Sequence, residues 1–211
     1  MARVKGVAGL FLTAWCLTAL AGVSVGEDSP QWPDAISEVK VESSFDGTQQ
    51  PALFYSPSTE DSRPLLVGLH TWSGNYRQSM SIPYAEWCIE KNWVFIHPNF
   101  RGPNKTPEAT GSEAAVQDIV DAVEYAKSHA KVDESRIYLV GVSGGGYSSI
   151  LLAGRHPDIW AGVSAWVPLS DVKEWYIDCV ESGERYAGDV LASVGGDPTQ
   201  DPAAAEECRK R

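Results

Sequence analysis

Residues Arg136 to Tyr147 read RIYLVGVSGGGY, and this stretch changes character midway. Ile137 to Val140 form a β-rich apolar run that stops at Gly141-Val142-Ser143-Gly144-Gly145. A helix-like segment, Tyr147 to His156, starts at once. Strand, sharp turn and helix are the setting in which G-x-S-x-G becomes a nucleophile elbow. The flanking glycines are needed because side chains there would clash. The serine hydroxyl then stands proud of the sheet, beside a backbone N–H at a helix N-terminus. Ser143 is the candidate nucleophile.

Working outward, the same alternation of apolar strand and helix recurs. Glu38 to Phe45 alternates polar and apolar residues like an edge strand, Asp46-Gly47 signals a turn, and Ala52 to Tyr55 returns. Leu65 to His70 and Trp93 to His97 are short continuous apolar runs, the pattern of strands buried on both faces. Between them Ile82 to Lys91 reads as a helix. A loop rich in Pro, Gly and Asn (98–110) leads to Glu113–His129, whose Ala115, Ile119, Ala122, Val123 and Ala126 make a helical stripe. Ala161 to Val167 supplies one more strand, and beyond Ser170 the pattern weakens into aromatic and acidic segments. Strands alternating with helices specify an α/β domain, a mostly parallel sheet with right-handed crossovers and helices on both faces.

The chain has 211 residues, 43% of them hydrophobic, enough for one domain with its own core. Residues 1–26 are a separate matter. Arg3 and Lys5 precede an uncharged apolar run from Val7 to Ala21, and small residues follow, which is the layout of a signal peptide. The expected domains are therefore a signal peptide at 1–26 and a folded domain at 27–211, secreted or periplasmic, with no membrane contact after cleavage. Removing Arg3 and Lys5 takes the net charge from −11 to −13. So acidic a surface disfavours nucleic acid as a partner. Cys88, Cys179 and Cys208 remain after cleavage in no zinc-binding pattern, so neither a metal nor a cofactor is expected. Export permits a disulfide, with Cys179 and Cys208 the favoured pair and Cys88 a buried thiol.

An acyl-transfer serine needs a base, a residue to orient that base, and donors for the oxyanion. One donor is the Gly144 N–H; the other should come from the loop after Leu65–His70, with Trp72 favoured and Thr71 as substitute. The Trp72 ring would either wall the acyl pocket or pack beneath the loop. His70 and His97 end strands and read as structural, and His129 and His156 end helices. This architecture orders its triad serine, acid, histidine, and His156 is the only histidine after Ser143. The general base is thus missing from this chain. Asp171 is a weak candidate for the acid and a better one for a helix cap. Arg101 either holds a substrate carboxylate or carbonyl or braces loops against an acid such as Asp118 or Glu113. Trp166, Trp175 and Tyr176 either line a pocket or pack.

Asn99-Phe100-Arg101-Gly102, Asp118 to Val123, Asp133 with Arg136-Ile137, Gly141 to Tyr147 and His156-Pro157-Asp158 follow in an order and spacing that resembles the catalytic domain of the prolyl oligopeptidase (S9) family, over about residues 63–172. The resemblance implies an α/β-hydrolase fold and a Ser-Asp-His triad, with acid and histidine on loops after the last two strands. Those strands would lie beyond Arg211, so the chain is expected to be truncated before them. The family usually carries Tyr directly after the serine, whereas here Gly144 follows and the tyrosine is Tyr147. The expected activity is hydrolysis of a small peptide or ester. Carbohydrate or feruloyl esterases of the same fold are the alternative, and a non-catalytic binding protein is the third reading if the chain truly ends at residue 211.

Overall fold

The computed structural model describes residues 31–211, so the signal peptide expected at 1–26 lies outside the described residues. The strands are β1 (Ser37–Glu42), β2 (Gln49–Tyr55), β3 (Arg63–Leu69), β4 (Val94–Pro98), β5 (Val132–Val142) and β6 (Gly162–Trp166). The α-helices are α1 (Ile82–Lys91), α2 (Glu113–His129), α3 (Gly144–Arg155), α4 (Val172–Ser182), α5 (Tyr186–Val194) and α6 (Pro202–Lys210). The sheet order is β1-β2-β4-β3-β5-β6. β1 pairs antiparallel with β2, and β2 antiparallel with β4. From β4 through β3 and β5 to β6 every pairing is parallel. This mixed sheet with helices is the α/β-hydrolase arrangement.

Side-chain alternation along β3 sorts the core into two layers. Leu65, Val67 and Leu69 pack with Ile119, Ala122 and Val123 of α2 and Leu152 of α3. Leu66 points the other way, toward Ala85 and Cys88 of α1, Phe95 and Val140. Helices therefore cover both faces. The stripe read from α2 is its buried face, and Ser112 caps that helix by accepting from Ala115 N–H at 3.0 Å.

Two expectations change at the C-terminal side. β6 pairs only with β5 among the described residues, and Val163 and Trp166 stand exposed, so Trp166 neither lines the cavity at Ser143 nor packs in the core. Residues 172–210, whose apolar pattern is weak, fold into three short helices, α4 to α6. They bury Val172, Tyr176, Val190, Val194, Ala204 and Cys208 against Trp72 and Tyr147, over the end of the sheet where the elbow sits.

The cysteines correct a third expectation. Cys179 on α4 and Cys208 on α6 are both buried, and both are free thiols rather than a disulfide. Each faces inward from its own helix as a small apolar side chain. Cys88 is fully buried, and burial pushes its thiol up to about 12, so it is inert at neutral pH.

Candidate active site

β5 ends at Val142, α3 begins at Gly144, and Ser143 makes the whole turn between them. Its backbone sits at φ 55° and ψ −118°, a region that costs a non-glycine residue about 1–3 kcal/mol. The neighbours impose it. Ser143 N–H donates to Trp166 O at the end of β6 at 2.9 Å, and Ser143 O accepts from Tyr147 N–H at 2.9 Å in the first turn of α3. The hydroxyl does not cap the helix and is left free for chemistry.

The glycines around it are space requirements. A Cβ on Gly141 would overlap the carbonyl of Gly145, and one on Gly144 would overlap the backbone nitrogen and Cα of Trp72. A Cβ on Gly145 would meet the carbonyls of Leu69 and His70. The elbow therefore nests directly against the loop leaving β3. Neither Trp72 N–H nor Gly144 N–H donates to a protein acceptor among the described residues. Two free donors, one just after the serine and one from the neighbouring loop, lie side by side at a helix N-terminus. That arrangement can receive negative charge on an oxygen held at Ser143. The Trp72 indole packs beneath the loop rather than walling a pocket. It is buried, edge-on to Trp175 at 4.5 Å, and its Nε1–H donates to Asp189 at 3.2 Å.

A cavity of about 320 Å³ opens beside Ser143. Val167, Pro168, Leu169 and Trp175 give it an apolar wall, and Asp171, Glu174 and Asp178 an acidic one. Of the three aromatics in question, Trp175 lines this cavity and Tyr176 is buried in the core. Trp166 stands exposed, its Nε1–H on Ser164 Oγ at 2.9 Å. Asp171 lines the cavity as the N-cap of α4: its Oδ1 accepts from Lys173 N–H at 2.9 Å and Glu174 N–H at 3.0 Å. No histidine meets it, so its geometry here is that of a cap.

The four histidines are accounted for elsewhere. His70 is fully buried, with Nδ1 2.9 Å from Thr71 O and Nε2 2.9 Å from Asn99 O. His97 is fully buried with Nδ1 2.8 Å from Tyr76 O, and burial, helped by nearby His70, pushes it down to about 3. His129 stacks on Tyr125 at the end of α2. His156 is the C-cap of α3. Twelve helical residues separate it from Ser143, roughly 18 Å at 1.5 Å per residue.

Arg101 braces loops. Its Nε donates to Asp118 at 2.7 Å, Nη1 to Asp46 at 2.7 Å, and Nη2 to Ser43 Oγ at 2.9 Å. The guanidinium holds the Asp46 carboxyl well below the usual range. Glu113, the other partner expected for Arg101, pairs with Arg155 instead.

Acylamino-acid-releasing enzyme 2 of Oryza sativa subsp. japonica is 23% identical over 165 residues, which are 68% of this chain and 21% of that protein. Feruloyl esterase B of Thermothelomyces thermophilus is 27% identical over 117 residues, 50% of this chain and 40% of that protein. The chain thus spans well under half the length of either. The structure of Pyrococcus horikoshii acylaminoacyl peptidase superimposes with a TM-score of 0.63 at 17% identity, over 82% of this chain and 28% of that one. That similarity supports the fold alone. The family model for the prolyl oligopeptidase family matches residues 79–190, more than half of the sequence and inclusive of the elbow. With its sheet order, elbow and that match in agreement, this chain belongs to the prolyl oligopeptidase family.

Proposed function

We propose that this protein is an exported serine hydrolase of prolyl oligopeptidase type, cleaving small peptides through an acyl-enzyme on Ser143. The observation that carries the reading is the strained serine beside two unbonded N–H donors, at Gly144 and Trp72. In the first step Ser143 Oγ attacks the substrate carbonyl carbon, a C–O bond forms, and the carbonyl electron pair moves onto oxygen. The two N–H groups stabilise that oxygen. Collapse expels the amine, which leaves with the proton taken from Ser143. Water then attacks the acyl-enzyme, releasing the acid and restoring the hydroxyl. Both proton transfers need a base, and each of the four histidines of this sequence is held away from Ser143 by its own contacts. Export is supported by the basic and apolar segments within residues 1–26.

A second reading, a carbohydrate or feruloyl-type carboxylesterase, uses the same machinery with an alcohol as leaving group. It is favoured by Gly144 directly after the nucleophile and by the similarity to a feruloyl esterase. Comparing turnover of a proline-containing dipeptide amide with that of feruloylated or acetylated xylan decides between them. Faster cleavage of the amide supports the peptidase, and turnover of the xylan alone replaces it with the esterase.

A further inference from the structure

We propose that His70 and Gln78 are positioning residues that aim the Trp72 N–H at the oxygen of a substrate carbonyl held on Ser143. The proposal rests on the hydrolase reading above. A donor reserved for a transition-state oxygen has to stay unbonded at rest and still keep its direction, because its value lies in needing no rearrangement. An unbonded loop N–H ordinarily turns until it finds an acceptor. At Trp72 three consecutive peptides are pinned, so this one does not.

The first is held by Gln78, whose Oε1 accepts from Thr71 N–H at 2.9 Å and from Thr71 Oγ1 at 3.0 Å. The second is held by its carbonyl. Thr71 O accepts from Gly74 N–H at 3.0 Å and faces His70 Nδ1 at 2.9 Å. The third is held at Trp72 O, which accepts from Asn104 N–H at 2.8 Å. A trans peptide points its N–H opposite to its C=O. Fixing Thr71 O toward His70 therefore directs Trp72 N–H the other way, to the side where Gly144 crowds it.

Both clamps are themselves anchored. The His70 ring lies stacked on Phe100, centroids 3.8 Å apart and 7° from parallel, and burial favours the neutral ring, whose single N–H in the Nδ1–H tautomer donates to Thr71 O. Gln78 Nε2 donates to Ser81 Oγ at 3.2 Å. Neither residue lines the cavity at Ser143, so any effect on chemistry passes through the loop.

The test uses the protein expressed from its full gene, with p-nitrophenyl acetate as substrate and active sites titrated by a fluorophosphonate. Gln78→Ala and Gln78→Met both remove the acceptor, the second at nearly constant length. Each is expected to lower kcat per titrated site about 10–100-fold with KM within about two-fold. Gln78→Glu keeps an oxygen at the Oε1 position and should recover to within about three-fold of wild type. His70→Ala should lower kcat in the same way, with a loss of stability as well. Wild-type kcat per titrated site in Gln78→Ala and Gln78→Met would overturn the proposal while leaving the hydrolase reading intact. A wild-type protein without ester turnover would overturn both.

Discussion

Ser143 pays for its position with backbone strain, and substitution exposes the trade. Ser143→Gly places the one residue type for which φ 55° costs nothing, so the variant should be more stable by about 1 kcal/mol while losing all turnover. Thermal melting read beside ester hydrolysis checks both halves, and a lowered Tm would contradict the strain assigned here. Gly144→Ala acts in the opposite sense. Its Cβ forces the Trp72 loop back, so turnover should fall by at least about 100-fold even in folded protein. The sharp turn at Ser143 was legible because a G-x-S-x-G between strand and helix is a steric pattern carried by four or five adjacent residues, whereas Trp72 was reached only through the loop expected after β3. The clamp on the Trp72 loop was not legible. Gln78 and Thr71 are seven positions apart, with no periodicity to link them, and only the folded loop brings Gln78 Oε1 onto Thr71 N–H.

Elements here are tied by polar side chains as much as by packing. Arg101, left-handed at φ 74°, joins the turn after β1 to α2 through Asp46 and Asp118, and Asp118 is almost wholly buried. Removing one partner leaves the other charge buried, so Arg101→Met should cost about 3–5 kcal/mol in urea unfolding. Arg101→Lys should recover little of that, since one ammonium cannot span both carboxylates and Ser43. Asp171→Ala separates two roles for one carboxylate. As the cap of α4 it is worth about 1 kcal/mol, and turnover should change by no more than a few-fold. A loss of about 10⁴-fold would make Asp171 the triad acid instead. The strands and α1 to α3 could be read because their apolar residues follow periods of 2 or 3.6. Helices α4 to α6 were less legible, since in α4 half-buried Trp175 and Ile177 blur the stripe made by Val172, Tyr176 and Cys179. Their ends were the better signal: Asp171 and Asp201 cap α4 and α6, Pro202 opens α6, and left-handed Gly183 and Gly195 close α4 and α5.

Across the whole molecule, acid acts first through the buried histidines. His97 titrates near 6.5 when unfolded and at about 3 when folded, so in that window the unfolded chain binds the extra proton. Its contribution is fully present above pH 6.5 and is lost as pH falls toward 3, by at most about 1.4 kcal/mol per pH unit. His70, also lowered by burial, adds a slope of the same sign. His97→Asn should make the fall in urea midpoint between pH 6 and 4 shallower, and an unchanged slope would show that His97 takes up no proton on unfolding. The scale of the sheet also explains what the sequence could not show about β6. An apolar strand reads the same whether or not a neighbour covers it, so Ala161 to Val167 reads as a strand with no sign that Val163 and Trp166 are exposed. The elbow was readable from its own residues. The most direct test of the elbow is therefore a fluorophosphonate applied to the protein expressed from its full gene, followed by mass mapping of the modified peptide. The expected result is a single adduct on Ser143 that is absent from Ser143→Ala. Equal labelling of wild type and Ser143→Ala would show that Ser143 is not the nucleophile.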